Sequence, residues 1–424
     1  MKKLFNEMFN NIENIAKEQL LDLKQNNIVS ILENENIKEE NKKVLIENIK
    51  EIDFSNIKNM QEQIKDIEIK EEKVSNINYI DKYKLDEDVV NEYIFLAKEA
   101  IKNNEYALIT MAGGQGTRLG FDGPKGSFKI KVYNGEKSLF EILAEKIKSI
   151  NNKYDINLNW YIMTSKENND ETIKHFEDNN YFELDRKNII FFIQTDMPML
   201  LEDGNIIINE DFSIKKASDG NGAIYKCLKD SGILNDLKER NIKYVLIGSI
   251  DNALLNIEDE IFIGAFIKAK EEIASKSVVK ISPEERVGVF CKKDGKPSVI
   301  EYTELDDSLR YEKDEKGELL YGEAHLMINL YKIKALEKLA EIELPYHIAY
   351  KKSDYLDGEG KLVTTDKPNA YKFEKLIFDG FSFFDNILIM RGKREEDFAP
   401  IKNKEGDDSP ETAIKLYNDY YKKN

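Results

Sequence analysis

Over the first hundred residues the apolar positions Leu4, Met8, Phe9, Ile12, Ile15 and Leu20 recur at helical spacing, with Asn, Glu and Lys between them. That period places them on one face of a helix. Proline and glycine are absent from residues 1–100, so only polar runs separate one helix from the next. The pattern predicts a helical N-terminal domain over 1–100 that packs as a cap on the next domain. A partner-binding amphipathic helix is the alternative.

The pattern changes at Tyr106. Ala107-Leu108-Ile109-Thr110-Met111 is a short apolar run ending in glycines, which suits a strand buried on both faces of a parallel sheet. Further runs occur at 159–164, 189–193 and 244–248, separated by helical patterns at 139–150 and 223–237. Strands alternating with helices predict βαβ units, hence an α/β, Rossmann-like domain over 101–400 with a mixed, mainly parallel sheet. From about Ser277 to 330 the chain turns β-rich. Val287-Gly288-Val289-Phe290 and Pro297 to Tyr302 flank Asp294-Gly295, the signature of a hairpin able to wall one side of a cleft. Residues 401–424 read as a short tail.

Composition narrows the functional classes. A chain of 424 residues predicts two or three domains, and 41% hydrophobic residues are enough to fill their cores. The net charge of −17 excludes general binding to nucleic acid or anionic membrane, which needs a basic surface. It leaves room for a phosphorylated small substrate in a local basic pocket. The two cysteines, Cys227 and Cys291, form no CxxC pair, so neither a disulfide framework nor a structural zinc is expected. The polar start from Met1 to Glu7 lacks the pattern of a signal peptide, and no run approaches about 20 apolar residues. The expectation is a cytoplasmic protein without a membrane span.

The strongest chemical signal is Met111-Ala112-Gly113-Gly114-Gln115-Gly116-Thr117-Arg118-Leu119-Gly120, then Pro124-Lys125-Gly126. It begins where an α/β strand ends, which is where such sheets place ligands. Glycines let a backbone approach a phosphate and cradle it with N–H groups, and Arg118 and Lys125 add positive charge. A P-loop would need Gly-Lys before a Ser or Thr, and a dinucleotide fingerprint would need glycine where Leu119 stands. Asp251, at the end of the 244–248 run, suits a hard cation such as Mg²⁺; capping a helix is its other reading. His175, His325 and His347 have no metal-ligand spacing and read as structural.

The run Ala112 to Gly126 resembles the nucleotide-binding signature of the UDP-N-acetylglucosamine pyrophosphorylase and UDP-sugar pyrophosphorylase family. The resemblance continues in order through Trp160–Ser165, Gln194, Asp219-Gly220-Asn221-Gly222, Asp251-Asn252, the 283–302 hairpin, Lys372 to Asp379 and Glu396 to Asn403. It spans about 105–410. Ser218 stands where the family has proline, Ala223 where it has glycine, and Arg286 where it has proline. The family's small C-terminal β domain has no counterpart before the chain stops.

The resemblance implies a Mg²⁺-dependent nucleotidyltransferase that joins UTP to a sugar 1-phosphate and releases pyrophosphate. It implies that Arg118, Lys125 and Lys372 are catalytic and that Asp251 is the metal ligand. Met111, Ala112, Gly113, Gly114, Gln194, Gly220, Asn221 and Gly222 would hold the nucleotide, with Gln194 on the uracil. Gly288, Glu301, Tyr302, Glu323 and Phe378 would line the sugar site. Without the resemblance Gln194 reads as a loop residue, Lys372 as one surface lysine among many, and Phe378, Phe381, Phe383 and Phe384 as core. The reaction needs no strong base, because the attacking phosphate oxygen is already anionic; it needs in-line placement and charge neutralisation. A UDP-sugar-dependent glycosyltransferase and a catalytically silent nucleotide-sugar sensor are the rivals. Neither uses a full set of cations on a departing pyrophosphate.

For the sugar, the hairpin and the Lys372 segment most resemble the N-acetylglucosamine branch of the family, which implies N-acetylglucosamine 1-phosphate. Gly322-Glu323-Ala324 pulls the other way, since the family usually reads Gly-Asn-Ile there. An ionised Glu323 accepts hydrogen bonds but donates none, and its charge would repel a phosphate. If the alignment is offset by a residue or two, Glu323 is a bystander. Glucose 1-phosphate, galactose 1-phosphate or a broad range of sugars are the alternatives.

Overall fold

The computed structural model describes residues 18–65 and 72–423. The chain clusters into two compact units. The larger comprises Glu72–Thr195, Asn221–Leu344 and Ile377–Asn424; the smaller comprises Met1–Glu71, Asp196–Gly220 and Pro345–Leu376.

The larger unit is built on a mixed sheet of eleven strands among the described residues. Its main path runs Ile80–Asp81, Leu388–Arg391, Ile273–Val279, Glu323–Lys332, Tyr244–Ser249, Tyr106–Met111, Asn159–Thr164, Ile189–Ile193. The last four are mutually parallel, and Glu323–Lys332 runs antiparallel to both its neighbours. This is the mixed, mainly parallel α/β arrangement that the apolar runs predict. Tyr106–Met111 and Asn159–Thr164 are buried at every position, as parallel strands covered on both faces must be. Against them lies the helix Leu139–Tyr154, capped by Ser138, whose hydroxyl accepts from Glu141 N–H at 3.1 Å. Its Phe140, Leu143 and Ile147 join Trp160 and Phe176 in the main core. The single helix expected at 223–237 is two, Ile224–Asp230 and Ile233–Glu239, because Gly232 at φ +78 takes the left-handed conformation that ends a helix. The expected hairpin is Val289–Lys293 with Lys296–Ile300, turned by Asp294 and Gly295 at φ +48 and +81.

The helical character of the N-terminal region holds in Asn26–Glu33, Glu39–Lys50, Phe54–Lys65 and Glu87–Lys102. Leu4, Met8, Phe9, Ile12 and Ile15 lie outside the described residues; Leu20 is fully buried. The first three of these helices belong to the smaller unit, where Ile28, Leu45, Ile49 and Ile57 pack with Leu200, Ile208, Leu356 and Phe373. Gln25, fully buried, fixes its place there by donating to Gly204 O (2.8 Å) and accepting from Ile206 N–H (2.7 Å). Among the described residues no helix is long and apolar enough to cross a membrane. Cys227 and Cys291 are buried, and neither forms a disulfide among the described residues.

A charged cluster inside the larger unit joins its elements. Lys276, at 0% exposure on the Ile273–Val279 strand, pairs with Asp397 and, at 2.6 Å, with Asp259, which also pairs with Lys82 at 2.8 Å. Burial alone would raise Asp259, but Lys276 and Lys82 hold it well below the usual carboxylate range. Burial pushes Asp397 up against the pull of Lys276. Removing the shared ammonium leaves buried Asp397 without its cation and Asp259 with Lys82 alone. Lys276→Met is therefore expected to lose about 3–5 kcal/mol of unfolding free energy, read from the urea midpoint; an unchanged midpoint would mean that water reaches the cluster.

Candidate active site

Three loops leave the sheet at one edge, because the parallel ladder sets Met111 opposite Met163 on one side and Ser249 on the other. The first is the glycine loop. Ala112 N–H donates to Met163 O at 2.8 Å, Lys125 N–H to Gly114 O at 3.0 Å and Gly116 N–H to Gly123 O at 2.9 Å, which closes residues 112–125 into a bracket. Fully buried Asn168 donates its Nδ2 to Ala112 O (2.9 Å) and Gly114 O (3.3 Å), while its Oδ1 accepts from Ser165 N–H (2.8 Å). With their carbonyls so engaged, the N–H groups of Gly113, Gly114 and Gln115 have no acceptor among the described residues. Successive N–H groups left this way make an anion-binding concavity.

Gln194 reaches the bracket from the end of Ile189–Ile193, its N–H bonded to Thr164 O at 2.7 Å. Glycine at 113 leaves room for this approach: a Cβ there would lie 2.8 Å from Gln194 Oε1, and the carboxamide would have to shift. Gly126 is required for a different reason: a Cβ would lie 2.1 Å from the Phe140 ring, so the turn carrying Lys125 is seated directly on the Leu139–Tyr154 helix. Arg118 is exposed on the Thr117–Leu119 turn.

Asp251 lies just beyond the Tyr244–Ser249 strand. Its carbonyl accepts from Ile401 N–H (2.9 Å), and Ala253 N–H donates to Ala399 O (3.0 Å), so residues 251–253 are clipped to 399–401. Asn252 donates to Asp397 O (2.7 Å) and accepts from Ala399 N–H (2.9 Å) and Leu254 N–H (3.1 Å). Asp251 Oδ2 stands 3.7 Å from Lys125 Nζ, with the two side chains about one-fifth exposed. At that separation the pair is in Coulombic reach without being locked by a hydrogen bond. Among the described residues no group of three or more His, Cys, Asp or Glu could hold a metal unaided.

The remaining expected residues divide between the units. Gly222 is buried and Asn221 accepts from Ile377 N–H at 2.7 Å, in the larger unit. Gly220 (φ +88) and Lys372 belong to the smaller unit, where Lys372 Nζ lies 2.6 Å from Glu374 on the Ala370–Glu374 strand. On the sugar side Gly288 packs against Val299 and Glu301, and its carbonyl accepts from His325 N–H at 2.9 Å. Tyr302 is exposed. Phe378 is buried, its ring meeting His325 edge-on at 6.0 Å. Glu323 is buried with both carboxylate oxygens engaged, one by Arg391 (Nε at 2.8 Å, and Nη2) and one by the Ser277 hydroxyl at 2.6 Å. Its charge is thus neutralised within the sheet, not presented to a phosphate. Asn168 and Lys146, which donates to Ala253 O and Leu255 O, support the site without any sequence signature of their own.

A strand-end loop with unengaged N–H groups, a glutamine beside it and a lysine facing a carboxylate are the features a nucleotide-binding transferase of the α/β class would use. Comparison with known proteins agrees. The family model described as UTP–glucose-1-phosphate uridylyltransferase matches residues 47–407. A Dictyostelium discoideum protein named "Probable UDP-N-acetylglucosamine pyrophosphorylase" is 34% identical over 98% of this chain and 85% of its own length. The UDP-N-acetylglucosamine pyrophosphorylase of Saccharomyces cerevisiae is 36% identical over 77% of this chain and 71% of its own. The Trypanosoma brucei uridine diphosphate N-acetylglucosamine pyrophosphorylase, solved with an inhibitor, superposes at a TM-score of 0.80 with 29% identity, over 96% of this chain and 84% of that one. The chain belongs to the UTP–glucose-1-phosphate uridylyltransferase family and is a nucleotidyltransferase, joining UTP to a sugar 1-phosphate.

The histidine behind the hairpin gives a pH test. Burial between Phe290, Phe378 and Phe381 pushes His325 down from 6.5 to about 4, against a hydrogen bond with Asn329. The unfolded chain takes up this proton near 6.5 and the folded chain does not, so stability present above 6.5 is lost as pH falls toward 4, by about 3 kcal/mol at most. Urea midpoints at pH 7 and 4.5 should fall further for the parent than for His325→Leu; equal falls would mean that His325 protonates freely in the fold.

Proposed function

We propose that the sugar this uridylyltransferase accepts is N-acetylglucosamine 1-phosphate and that Mg²⁺ is the metal it uses. The observation that carries the mechanism is the 3.7 Å approach of Lys125 to Asp251 beside the bracket of unengaged N–H groups. A sugar 1-phosphate oxygen attacks the α-phosphorus of UTP, the bond to the bridging oxygen breaks, and pyrophosphate leaves. The obstacle is repulsion between anions, so the work is positioning and neutralisation. The N–H groups of Gly113 and Gly114 and the cations Arg118 and Lys125 hold the triphosphate and stabilise the departing pyrophosphate. Backbone at Met111 and Ala112, the Gln194 carboxamide and the Gly220–Gly222 segment read the base; Lys372 supplies charge for the incoming phosphate.

The donor set fits Mg²⁺. This cation keeps several waters and binds through one or two carboxylates plus substrate phosphates, so a lone, partly exposed Asp251 suits it better than an all-protein cage would. When bound, the metal supplies positive charge to phosphate oxygens. The names of the Dictyostelium and Saccharomyces relatives support the acetylated sugar. So does Glu323, whose pairing with Arg391 removes the charge that argued against it. Gly288, Glu301, Tyr302 and Phe378 remain as the sugar-facing set. The description of the family model supports glucose 1-phosphate as the second reading. Buried thiols at Cys227 and Cys291, outside any disulfide among the described residues, suit a reducing cytoplasm.

Lys125→Ala is expected to lower kcat by about 10²–10³, the usual cost of removing one preorganised donor, while a rate near that of the parent would take Lys125 out of the mechanism. A panel of sugar 1-phosphates with UTP, compared by kcat/KM for pyrophosphate release, decides the sugar. A site that bonds the acetamide should reject glucose 1-phosphate by a large factor, since its polar groups would be left unpaired. Equal or better use of glucose 1-phosphate sinks the acetylated assignment and leaves uridylyl transfer standing.

A further inference from the structure

The helix Leu139–Tyr154 touches the two segments that carry Lys125 and Asp251, at Gly126 and at Ala253 and Leu255. Near its start, the Phe140 ring fills the space that Gly126 leaves open and seats the Lys125 turn. Six residues on, about 9 Å along the axis, Lys146 Nζ donates to Ala253 O at 2.8 Å and Leu255 O at 2.9 Å, in the turn that Asp251 opens. One rigid element therefore spans the segments that carry the cation and the carboxylate.

Packing alone does not fix the Asp251 turn. A void of about 10 Å³ lies between the helix at Leu143 and Lys146 and the chain at Ile250 to Ala253. Lys146 also lines a cavity of about 260 Å³ with Leu254, Leu255, Tyr417 and Tyr421. On the helix side, where these spaces lie, the turn has fewer packing contacts to hold it. Hydrogen bonds to residues 397–401 clip the turn on one side, and the pair from Lys146 ties it to the helix on the other. The Lys146 ammonium is otherwise poorly compensated. Burial pushes it down to about 7, Asp397 draws it only weakly back, and it makes no carboxylate ion pair among the described residues. A buried cation held by two carbonyls, without a counter-ion, is costly unless its geometry serves something.

We propose that Lys146 is a positioning residue for uridylyl transfer: together with Phe140 it sets, along one helix, the distance between the Asp251 carboxylate and the Lys125 ammonium. The proposal rests on Asp251 as the metal carboxylate. It requires no contact between Lys146 and any substrate.

The test uses the full chain carrying Lys146→Met, Lys146→Gln, Lys146→Arg or Asp251→Ala. Loosening the turn by about 1 Å should cost Lys146→Met roughly 10- to 100-fold in kcat and raise half-saturating Mg²⁺ several-fold, with KM for the sugar 1-phosphate unchanged. Lys146→Arg, whose fork can also reach two carbonyls, should recover most of both losses; a structural lysine would give no such metal dependence. If Lys146→Met does not fold, Lys146→Gln retains one donor and should show the same split at smaller amplitude. A folded Lys146→Met or Lys146→Gln with the parent's kcat and Mg²⁺ titration overturns the proposal while Asp251→Ala still shifts the titration. An Asp251→Ala variant with an unchanged titration removes the metal reading itself, and the proposal with it.

Discussion

A slip of one residue between Tyr106–Met111 and either neighbour would turn its buried side chains over and carry the glycine loop away from both the Gln194 and Asp251 segments. The ladder Ala107–Asn159 to Met111–Met163, with Tyr106–Tyr244 to Met111–Ser249, forbids it. These strands are apolar on both faces and covered on both, so each residue of register has many packing contacts behind it. The active edge inherits that precision. Ala112 N–H bonds Met163 O, Gln194 N–H bonds Thr164 O and Ile250 N–H bonds Met111 O, so each loop begins from a fixed point on its neighbour.

Much of this was legible in the sequence, for a physical reason. Parallel strands buried on both faces need continuous apolar runs, and 106–111 and 159–164 are buried at every position; 189–193, at the end of the sheet path, carries an apolar run with only its first and fourth residues buried. The Asp294-Gly295 turn needs two positive φ angles, and Asp-Gly supplies them cheaply. Long-range pairing left no such trace. Nothing near Glu323 says that Arg391 will neutralise it, and nothing near Lys276 says that Asp259 and Asp397 will meet there. A lysine in an apolar strand reads only as an anomaly. Gln194 was reachable only through family likeness, because its contact with Gly113 joins residues 81 positions apart. Gly232 was visible in the sequence, yet helical periodicity on either side outweighed it.

Electrostatics act at two levels here. The protein carries a net charge of −17, yet Arg118 and Lys125 stand together on the loop that leaves the Tyr106–Met111 strand. Charge balance is therefore local. The same economy applies inside, where Lys276 is matched by aspartates and Glu323 by Arg391. Lys146 is the departure from that rule, matched by carbonyl dipoles alone.

The smaller unit assembles its core from Leu20 to Met60, Met197 to Ile214 and Leu356 to Phe373. On a ribosome these segments emerge in order and far apart. At about 5–20 residues per second, Leu20 waits roughly 20–70 s for Phe373 to be synthesised. Throughout that interval the apolar faces around Ile28, Leu45 and Ile49 have no completed core to enter. The unit is thus a late-closing one, and the nascent chain depends on solubility or chaperone shelter in proportion to that delay.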